Sequence, residues 1–238
     1  MYAPLARGRL TLLPHINEEA LEGLEEYSHI WLVFVFHQSS HSQFKTKIKP
    51  PRLMGKKKGI FATRSPNRFN PIGMSVVVLE SISHKTLHLS GVDLVEGTPV
   101  LDIKPYHTAD CLQSFKVPAY LTQEGYSVNF HPRSLEQLEE ILNTNTLKFY
   151  TREDNLCEVI RSCLAQDPST VHTKLKHPQR GLYAFALDSL EIAYVRDSQA
   201  LTMEVVLIEV FSGEKPKMRS FQWLESTLLS LKKMGFEI

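Results

Sequence analysis

Apolar and polar residues follow a pattern that predicts β-strands joined by polar loops through about residue 107. The clearest strand is Ile30–His37, which is β-branched or aromatic almost throughout, so we expect burial on both of its faces. Asn17 is placed to cap a short helix at Glu18–Leu24, and His41–Lys58 is predicted as a long polar loop. The other predicted strands are Leu10–Pro14, Gly59–Ala62, Met74–Glu80, Leu87–Leu94 and Val100–Ile103.

Helical and strand patterns mix after about residue 126, which predicts a smaller α+β region. Ser134 has a glutamine three residues on, a capping-box spacing that predicts a helix from there to about Leu142. Asp154 is predicted to cap a second helix, Leu156–Gln166. The remaining predicted elements are strands at Tyr126–Phe130, Gly181–Leu187, Glu191–Arg196 and Leu201–Val210, and an amphipathic helix at Phe221–Met234.

These patterns predict a mainly β fold with four parts. Residues 1–107 form a β-rich domain, 108–125 a linker, 126–211 an α+β domain and 212–238 a helical tail. With 42% apolar residues the chain can bury a sizeable core.

Residues 59–75, GIFATRSPNRFNPIGMS, interrupt the strand pattern. Pro66 and Pro71 exclude a helix interior and a central strand, because proline lacks the backbone N–H that either ladder needs. We therefore predict a shaped cationic loop over Arg64–Gly73, between two strands. On these residues alone, a solvated surface connection is an equally good interpretation.

Charge is distributed unevenly, although the net charge is only +1. No aspartate or glutamate occurs from Tyr27 to Leu79, a stretch of 53 residues. Such a one-sign segment makes a positive field, and phosphate is its usual partner; a merely soluble basic face is the alternative. The nine cations of the stretch are Lys45, Lys47, Lys49, Arg52, Lys56, Lys57, Lys58, Arg64 and Arg68.

Several classes of protein have no support in the sequence. No run approaches the ~20 apolar residues of a membrane span, and the first residues do not resemble a signal peptide. The three cysteines have no C-x-x-C spacing, which favours reduced thiols in a cytoplasmic protein over disulfides or a zinc site. Dinucleotide, P-loop, zinc-protease and nucleophile-elbow motifs are absent, so no metal is predicted.

Polar residues gather where the predicted strands end. His37 and Gln38 end the apolar strand, Arg64 ends the next one, and Asp102 and Lys104 follow a glycine turn. If these ends converge at one rim, the groups could hold a nucleotide-like cofactor there. A structural ion pair is the simpler interpretation of Asp102 and Lys104.

Three long runs resemble a known family: GLEEYSHIWLVFVFHQ at 23–38, KPPRLMGKKKGIFATRSPNRFNPIGMSVV at 49–77 and GVDLVEGTPVLDIKPY at 91–106. They resemble the TsaA-like (YaeB) family, the tRNA N6-threonylcarbamoyladenosine methyltransferases also called TrmO. The resemblance is strong over Leu10–Tyr106. It is weaker through VPAYL at 117–121 and YSVNFHPRSLEQLEEIL at 126–142.

The resemblance implies methyl transfer from S-adenosylmethionine to the exocyclic amine of a modified tRNA adenosine beside the anticodon. It implies a catalytic domain that is a single-sheet β-barrel, a homodimer, and a C-terminal domain that helps to hold tRNA. A non-catalytic RNA-binding or truncated relative is the alternative. This second interpretation follows from two departures: the family's N-terminal strand with its Pro-Arg-Gln segment has no counterpart before MYAPLARGRL, and Gln166–His172 keeps only the Asp-Pro of the family's Q-D-P-R-P-A-Y.

The resemblance also implies roles for individual residues, carried over motif by motif. Asp102 or Tyr106 would accept the proton of the amine. Residues expected to contact tRNA are Arg68, Asn70, Lys56, Lys57, Lys58 and Lys104, and the dimer partner is the alternative contact for Arg68 and Asn70. Residues expected to contact the cofactor are His37, Gln38, Arg64, Met74, Gly97, Thr98, Pro99, Val100 and Asp102.

Overall fold

The computed structural model describes residues 4–38, 46–53, 55–122, 125–169, 174 and 179–210. The chain divides into two compact units, Met1–Gln123 and Glu124–Ile238. The predicted tail at 212–238, with its helix, lies outside the described residues. The predicted linker at 108–125 falls mostly within the first unit, where it makes short 3-10 turns at Thr108–Asp110 and Ala119–Leu121.

The first unit is built on a five-stranded antiparallel sheet in the order β1-β6-β5-β2-β7. Within the described residues β1 and β7 are its edges and are not paired with each other, so closure into a barrel stays a prediction. A separate small hairpin pairs β3 with β4. The strands are β1 Arg7–Thr11, β2 His29–Val35, β3 Lys47–Ile48, β4 Lys58–Gly59, β5 Ile72–Ser83, β6 Thr86–Ser90 and β7 Val100–Pro105.

Strand β2 is central in the sheet. Its apolar sequence predicted burial on both faces, but only one face is fully buried. Ile30, Leu32 and Phe34 point into the core, while the residues between them are only half-buried. The core side is filled from β5 and β6 by Val77, Leu79, Leu87 and Leu89. The other face of β2 therefore remains accessible, because β-strand side chains alternate between the two faces of a sheet.

Two short segments differ from the elements that their sequences predicted. Gly59–Ala62, predicted as a strand, is the last residue of β4 followed by a 3-10 turn at Ile60–Ala62. Asn17 does cap a helix, since its side chain accepts from the N–H of Glu19, but the helix is a 3-10 turn, Glu18–Leu21. Apolar spacing over four residues cannot separate these alternatives.

The second unit packs two helices on a four-stranded sheet in the order β8-β11-β10-β9, in which β8 and β11 run parallel. Its core includes Leu138 of the first helix, Ile160 and Leu164 of the second, and Ile192 and Met203 of the sheet. The elements are β8 Ser127–Phe130, α1 Pro132–Asn143, α2 Leu156–Ala165, β9 Arg180–Leu187, β10 Leu190–Asp197 and β11 Thr202–Val210.

Neither helix is capped by the predicted residue: the cap of α1 lies three residues earlier and the cap of α2 one residue later. His131 caps α1, whose first residue is a proline, and the predicted cap Ser134 is instead buried and donates to the carbonyl of Val205 at 2.9 Å. Asn155 caps α2 by accepting from the N–H of Glu158. The carboxylate of Asp154 accepts from the N–H of Thr151, so it orders the preceding turn.

Candidate functional site at the end of β2

The end of β2 is held between two of the loops singled out in the sequence. The N–H of Phe36 donates to the carbonyl of Pro71 at 2.7 Å, and the N–H of Val35 donates to the carbonyl of Pro99 at 3.0 Å. The strand then stops in a tight turn, where the N–H of His37 donates to the carbonyl of Val35. The exposed His37 and Gln38 therefore lie between the Arg64–Gly73 loop and the Gly97–Pro99 turn. We call this place the strand-end site.

The accessible face of the sheet adds side chains to the strand-end site. Met74 pairs with Val33 on one side and Asp102 pairs with Val33 on the other, so all three point to the same face. Neighbouring strands lie about 4.8 Å apart, which places Met74 and Asp102 roughly 10 Å from each other across Val33. A bulge at Leu101 sets this register, because Val100 pairs with the next residue of β2.

The Arg64–Gly73 loop is held in shape by its own polar groups. The guanidinium of Arg68 donates to the carbonyl of Thr63 at 2.7 Å, and Arg68 is half-buried. The N–H of Ile72 donates to the carbonyl of Asn70 at 2.7 Å, and Asn70 itself is exposed. Arg64 is exposed. The two arginines of the loop thus differ: one closes the loop, and the other presents its charge to solvent.

Two glycines have conformations or surroundings that other residues would not tolerate. A Cβ on Gly73 would lie 2.3 Å from the ring of Phe34 and 2.9 Å from that of Phe36, so β5 can pair with β2 at this point only through a glycine. Gly97 has φ +78, and the N–H of Thr98 closes the turn onto the carbonyl of Val95. Left-handed backbone is unfavourable for residues with a side chain.

Asp102 and Lys104 form the ion pair that their spacing suggested, with 2.7 Å between carboxylate and ammonium. The hydrogen bond from Lys104 is the main cause that lowers the pKa of Asp102 below its usual value. Both side chains are largely exposed. Asp102 is therefore a carboxylate throughout the neutral range. One of its oxygens contacts Lys104, and the other accepts the backbone N–H of Ile103 at 2.9 Å.

Tyr106 lies away from the strand-end site. Its N–H donates to the carbonyl of His29, at the opposite end of β2. At about 3.3 Å per residue, this is roughly 20 Å from the end at Val35. A hydrogen bond with Cys111 raises the pKa of the Tyr106 hydroxyl, so the phenol stays protonated at neutral pH. Asp102 and Tyr106, the two alternative proton acceptors, therefore lie at different places along β2 within one chain.

The surroundings of Tyr106 were not singled out from the sequence. The indole N–H of Trp31 donates to the carboxylate of Asp110 at 3.1 Å, and the backbone N–H of His107 donates to the same oxygen at 2.9 Å. The ring of Tyr106 packs against Trp31 with 5.8 Å between centroids. These contacts fasten residues 107–111 to the accessible face of the sheet. Asp110 is 79 residues from Trp31, so no local pattern reports the pair.

Three consecutive lysines lie in the β3–β4 hairpin, at the end of its loop and the start of β4. Lys56, Lys57 and Lys58 are all exposed, as expected of residues that contact a polyanion. Lys104 is exposed as well but is engaged with Asp102.

Two of the three cysteines are not thiolates, and the described residues contain no cluster that could hold a metal ion. Burial raises the pKa of the Cys157 and Cys163 thiols, so both stay protonated. Within the described ranges no group of three or more histidine, cysteine or acidic residues could hold a metal ion. A separate search of the same residues finds no helix that is long and apolar enough to cross a membrane.

The second unit contains a buried charged cluster. The carboxylate of Asp167 is 2.8 Å from the ammonium of Lys174 and 3.3 Å from the guanidinium of Arg196, and both cations are at least 96% buried. Ser169 donates to the same carboxylate and contacts the hydroxyl of Tyr194. The Asp-Pro turn at 167–168 was noted in the sequence, but its two cationic partners could not be read from spacing.

Comparison with known proteins identifies the family to which this chain belongs. Residues 1–111 match the family model of the tRNA-methyltransferase O N-terminal domain. A putative S-adenosylmethionine-dependent methyltransferase, RcsF, from Pseudomonas aeruginosa is 42% identical over 193 residues, which cover 79% of this chain and 80% of the relative.

Two further comparisons extend beyond the first unit. A tRNA (adenine(37)-N6)-methyltransferase from Escherichia coli is 40% identical over 180 residues, covering 71% of this chain and 72% of the relative. A crystal structure of TrmO from Pseudomonas aeruginosa superposes with a TM-score of 0.67 at 34% identity, covering 88% of this chain and 86% of that one. The chain belongs to the tRNA-methyltransferase O family, which confirms the resemblance stated from its motifs.

Proposed function

We propose that the chain is an S-adenosylmethionine-dependent tRNA (adenine-N6)-methyltransferase. The substrate we propose is N6-threonylcarbamoyladenosine beside the anticodon. The observation that carries this proposal is the convergence of three family motifs at one place, where the backbone of β2 donates to both Pro71 and Pro99. The relatives named as S-adenosylmethionine-dependent and as tRNA (adenine-N6) methyltransferases support it.

The residues of the strand-end site fit the chemical groups of S-adenosylmethionine. The exposed guanidinium of Arg64 suits a carboxylate, and the side chains of His37 and Gln38 offer hydrogen bonds to an adenine edge or an ammonium. Met74 supplies an apolar surface that is 52% exposed. When bound, the cofactor supplies an electrophilic methyl group on its sulfonium.

The chain contributes orientation and a place for the proton. Holding the amine in line with the methyl supplies much of the rate, since positioning alone can replace a large entropic barrier. The amine must lose a proton as the new bond forms. Asp102 is the acceptor that we propose, because it is ionised and lies on the same face as Met74. A protonated Tyr106 can donate or accept a hydrogen bond, but as a neutral phenol it is a much weaker base than a carboxylate.

Asn70 and the lysines at 56–58 are proposed to contact tRNA, with Arg68 shaping the loop that carries Asn70. We further propose a homodimer and a closed barrel, as the resemblance implies. Ile72 and Leu101 are each about half-exposed on the first unit, and these apolar side chains are ones that a second copy could cover. A role on tRNA agrees with the cytoplasmic location expected from the sequence.

The test is isothermal titration with S-adenosylmethionine, followed by methylation of tRNA with and without the threonylcarbamoyl group. Arg64→Ala should abolish cofactor binding, while Arg152→Ala, an exposed arginine of the second unit, should bind like the wild type. Methyl transfer to tRNA that carries the threonylcarbamoyl group, with none to tRNA that lacks it, would support the full proposal. A folded chain that binds RNA but neither binds nor uses S-adenosylmethionine would instead be a non-catalytic RNA-binding relative.

A further inference from the structure

Two phenylalanine rings lie side by side on the surface of the first unit. Phe61 is 78% exposed, the most exposed large apolar side chain within the described residues, and Phe69 is 42% exposed. Their ring centroids are 5.7 Å apart, with the planes inclined by 41°. A lone exposed apolar residue needs no explanation, but a contacting aromatic pair outside the core does. We call this pair the aromatic platform.

The two chain segments that carry the aromatic platform are each anchored by the residue before the ring. Phe61 follows Ile60, which is only 2% exposed and whose N–H donates to the carbonyl of Thr46 at 2.9 Å. Phe69 follows Arg68, whose guanidinium closes the loop onto Thr63. The rings are thus presented by two anchored segments, so ordering them on binding costs little entropy.

Positive charge surrounds the aromatic platform in the sequence. Lys58 and Lys57 are exposed and lie three and four residues before Phe61, respectively, so they are at most about 14 Å away along the chain. Exposed Arg64 lies between the two rings in the sequence, and the whole segment belongs to the stretch without acidic residues. Aromatic rings set among cations are the pattern of a surface that stacks unpaired bases while it tracks phosphates.

The aromatic platform also adjoins the strand-end site. Phe69 is two residues before Pro71, whose carbonyl accepts from β2 beside His37, so the two places are within about 7 Å along the backbone. We propose that Phe61 and Phe69 stack on an unpaired base of the tRNA anticodon loop and so position the neighbouring adenosine at the strand-end site. This inference rests on the proposed function, because it takes tRNA as the ligand.

The test uses the full chain and a short synthetic anticodon stem-loop RNA with 2-aminopurine in the loop, beside the target adenosine. Wild type should change the 2-aminopurine fluorescence on binding, as stacking does. Phe61→Ala and Phe69→Ala should each weaken RNA binding by about 10-fold to 100-fold, whereas Phe61→Trp should keep the affinity. Phe115→Ala is the matched control, since Phe115 is 73% exposed but lies outside the basic stretch.

Salt dependence separates stacking from charge. Phe61→Ala should leave the slope of log affinity against log salt unchanged, while Lys58→Ala should reduce it by about one. Alanine variants that bind RNA as tightly as Phe115→Ala would overturn the inference. So would a lower mass of Phe61→Ala in light scattering, because the rings would then belong to an interface with a second copy.

Methylation of tRNA that carries the threonylcarbamoyl group, measured alongside RNA binding, distinguishes failure of this inference from failure of the proposed function. A wild type that methylates tRNA no better than Phe61→Ala overturns the stacking role alone. A wild type that binds the RNA through Phe61 but transfers no methyl group supports the stacking role and overturns the proposed function. A wild type that does not bind the RNA overturns both.

Discussion

The guanidinium of Arg68 donates to the carbonyl of Thr63 across 2.7 Å, and this contact closes the loop on which Arg64 is exposed. The two arginines are four residues apart and chemically identical, yet one is part of the loop's structure and the other faces solvent. The difference allows shape and charge to be tested separately in one loop.

We expect Arg64→Ala to lose affinity for the cofactor and Arg68→Ala to lose stability. Arg64→Ala should leave the thermal midpoint unchanged and raise the dissociation constant for S-adenosylmethionine. Arg68→Ala should lower the free energy of unfolding by about 1.5 kcal/mol, because a hydrogen bond from a charged donor is lost. Thermal melts and titration calorimetry on both variants measure the contrast. Equal loss of stability in both would mean that Arg64 is structural too.

The residues of this loop show how far the sequence could predict the site. The prolines correctly predicted a shaped loop, because proline restricts the backbone locally. The last two residues of the predicted loop, Ile72 and Gly73, belong to β5 instead. Which arginine would turn inward depends on the position of the Thr63 carbonyl, which is a matter of three-dimensional geometry. Strand Ile30–His37 was found from its composition, but its accessible face was not, because burial depends on what packs against it.

The pairing register of β7 with β2 could likewise not be predicted from the sequence. Asp102 and Tyr106 are four residues apart and seemed interchangeable as proton acceptors. Pairing with β2 places Asp102 beside Val33 and Tyr106 beside His29, one near each end of the strand. A period of two residues says which face a side chain takes, but not which partner it meets.

Asp102→Asn and Tyr106→Phe test this separation. Asp102→Asn should lower kcat for methyl transfer by roughly 10²-fold to 10⁴-fold, as loss of a general base does, with KM little changed. Tyr106→Phe should retain most of kcat. Single-turnover methylation of tRNA at saturating S-adenosylmethionine measures both. A large loss in Tyr106→Phe with none in Asp102→Asn would reverse the assignment.

Gly73→Ala should destabilise the first unit by about 1–3 kcal/mol, the usual cost of overpacking. The new Cβ would lie 2.3 Å from the ring of Phe34 and force β2 or the loop to move. Gly59→Ala is the matched control, since nothing lies within 4 Å of a Cβ there. Urea unfolding gives both free energies. Equal stability of the two variants would contradict the close approach.

Asp110 makes the free energy of unfolding of the first unit depend on pH in the acid range. Hydrogen bonds from the His107 backbone and the Trp31 indole lower the pKa of Asp110 below its ordinary value of 3.8. A carboxyl whose folded pKa is depressed stabilises the fold above its unfolded pKa, and that stability is lost as the pH falls through the folded pKa. The contribution should thus be complete above about pH 5 and disappear in stronger acid.

Asp110→Asn should remove that part of the acid dependence and lower stability at neutral pH. Urea unfolding at a series of pH values from neutral to strongly acidic measures it in both proteins. The two curves should converge at the acid end, where the wild-type carboxyl is protonated. Parallel curves over the whole range would mean that the Asp110 contacts do not depend on its charge.

Asp167→Asn should be the most destabilising of these changes, by about 3 kcal/mol, because it leaves Lys174 and Arg196 buried without their carboxylate. Glu158→Gln is the matched control: it breaks an ion pair with Arg161 that is as short, at 2.6 Å, but nearly half-exposed. That change should stay within about 1 kcal/mol. Chemical unfolding of both variants compares the losses directly. If Asp167→Asn were as stable as Glu158→Gln, the charges of the cluster would have to reach solvent, since burial is what makes an unpaired cation costly.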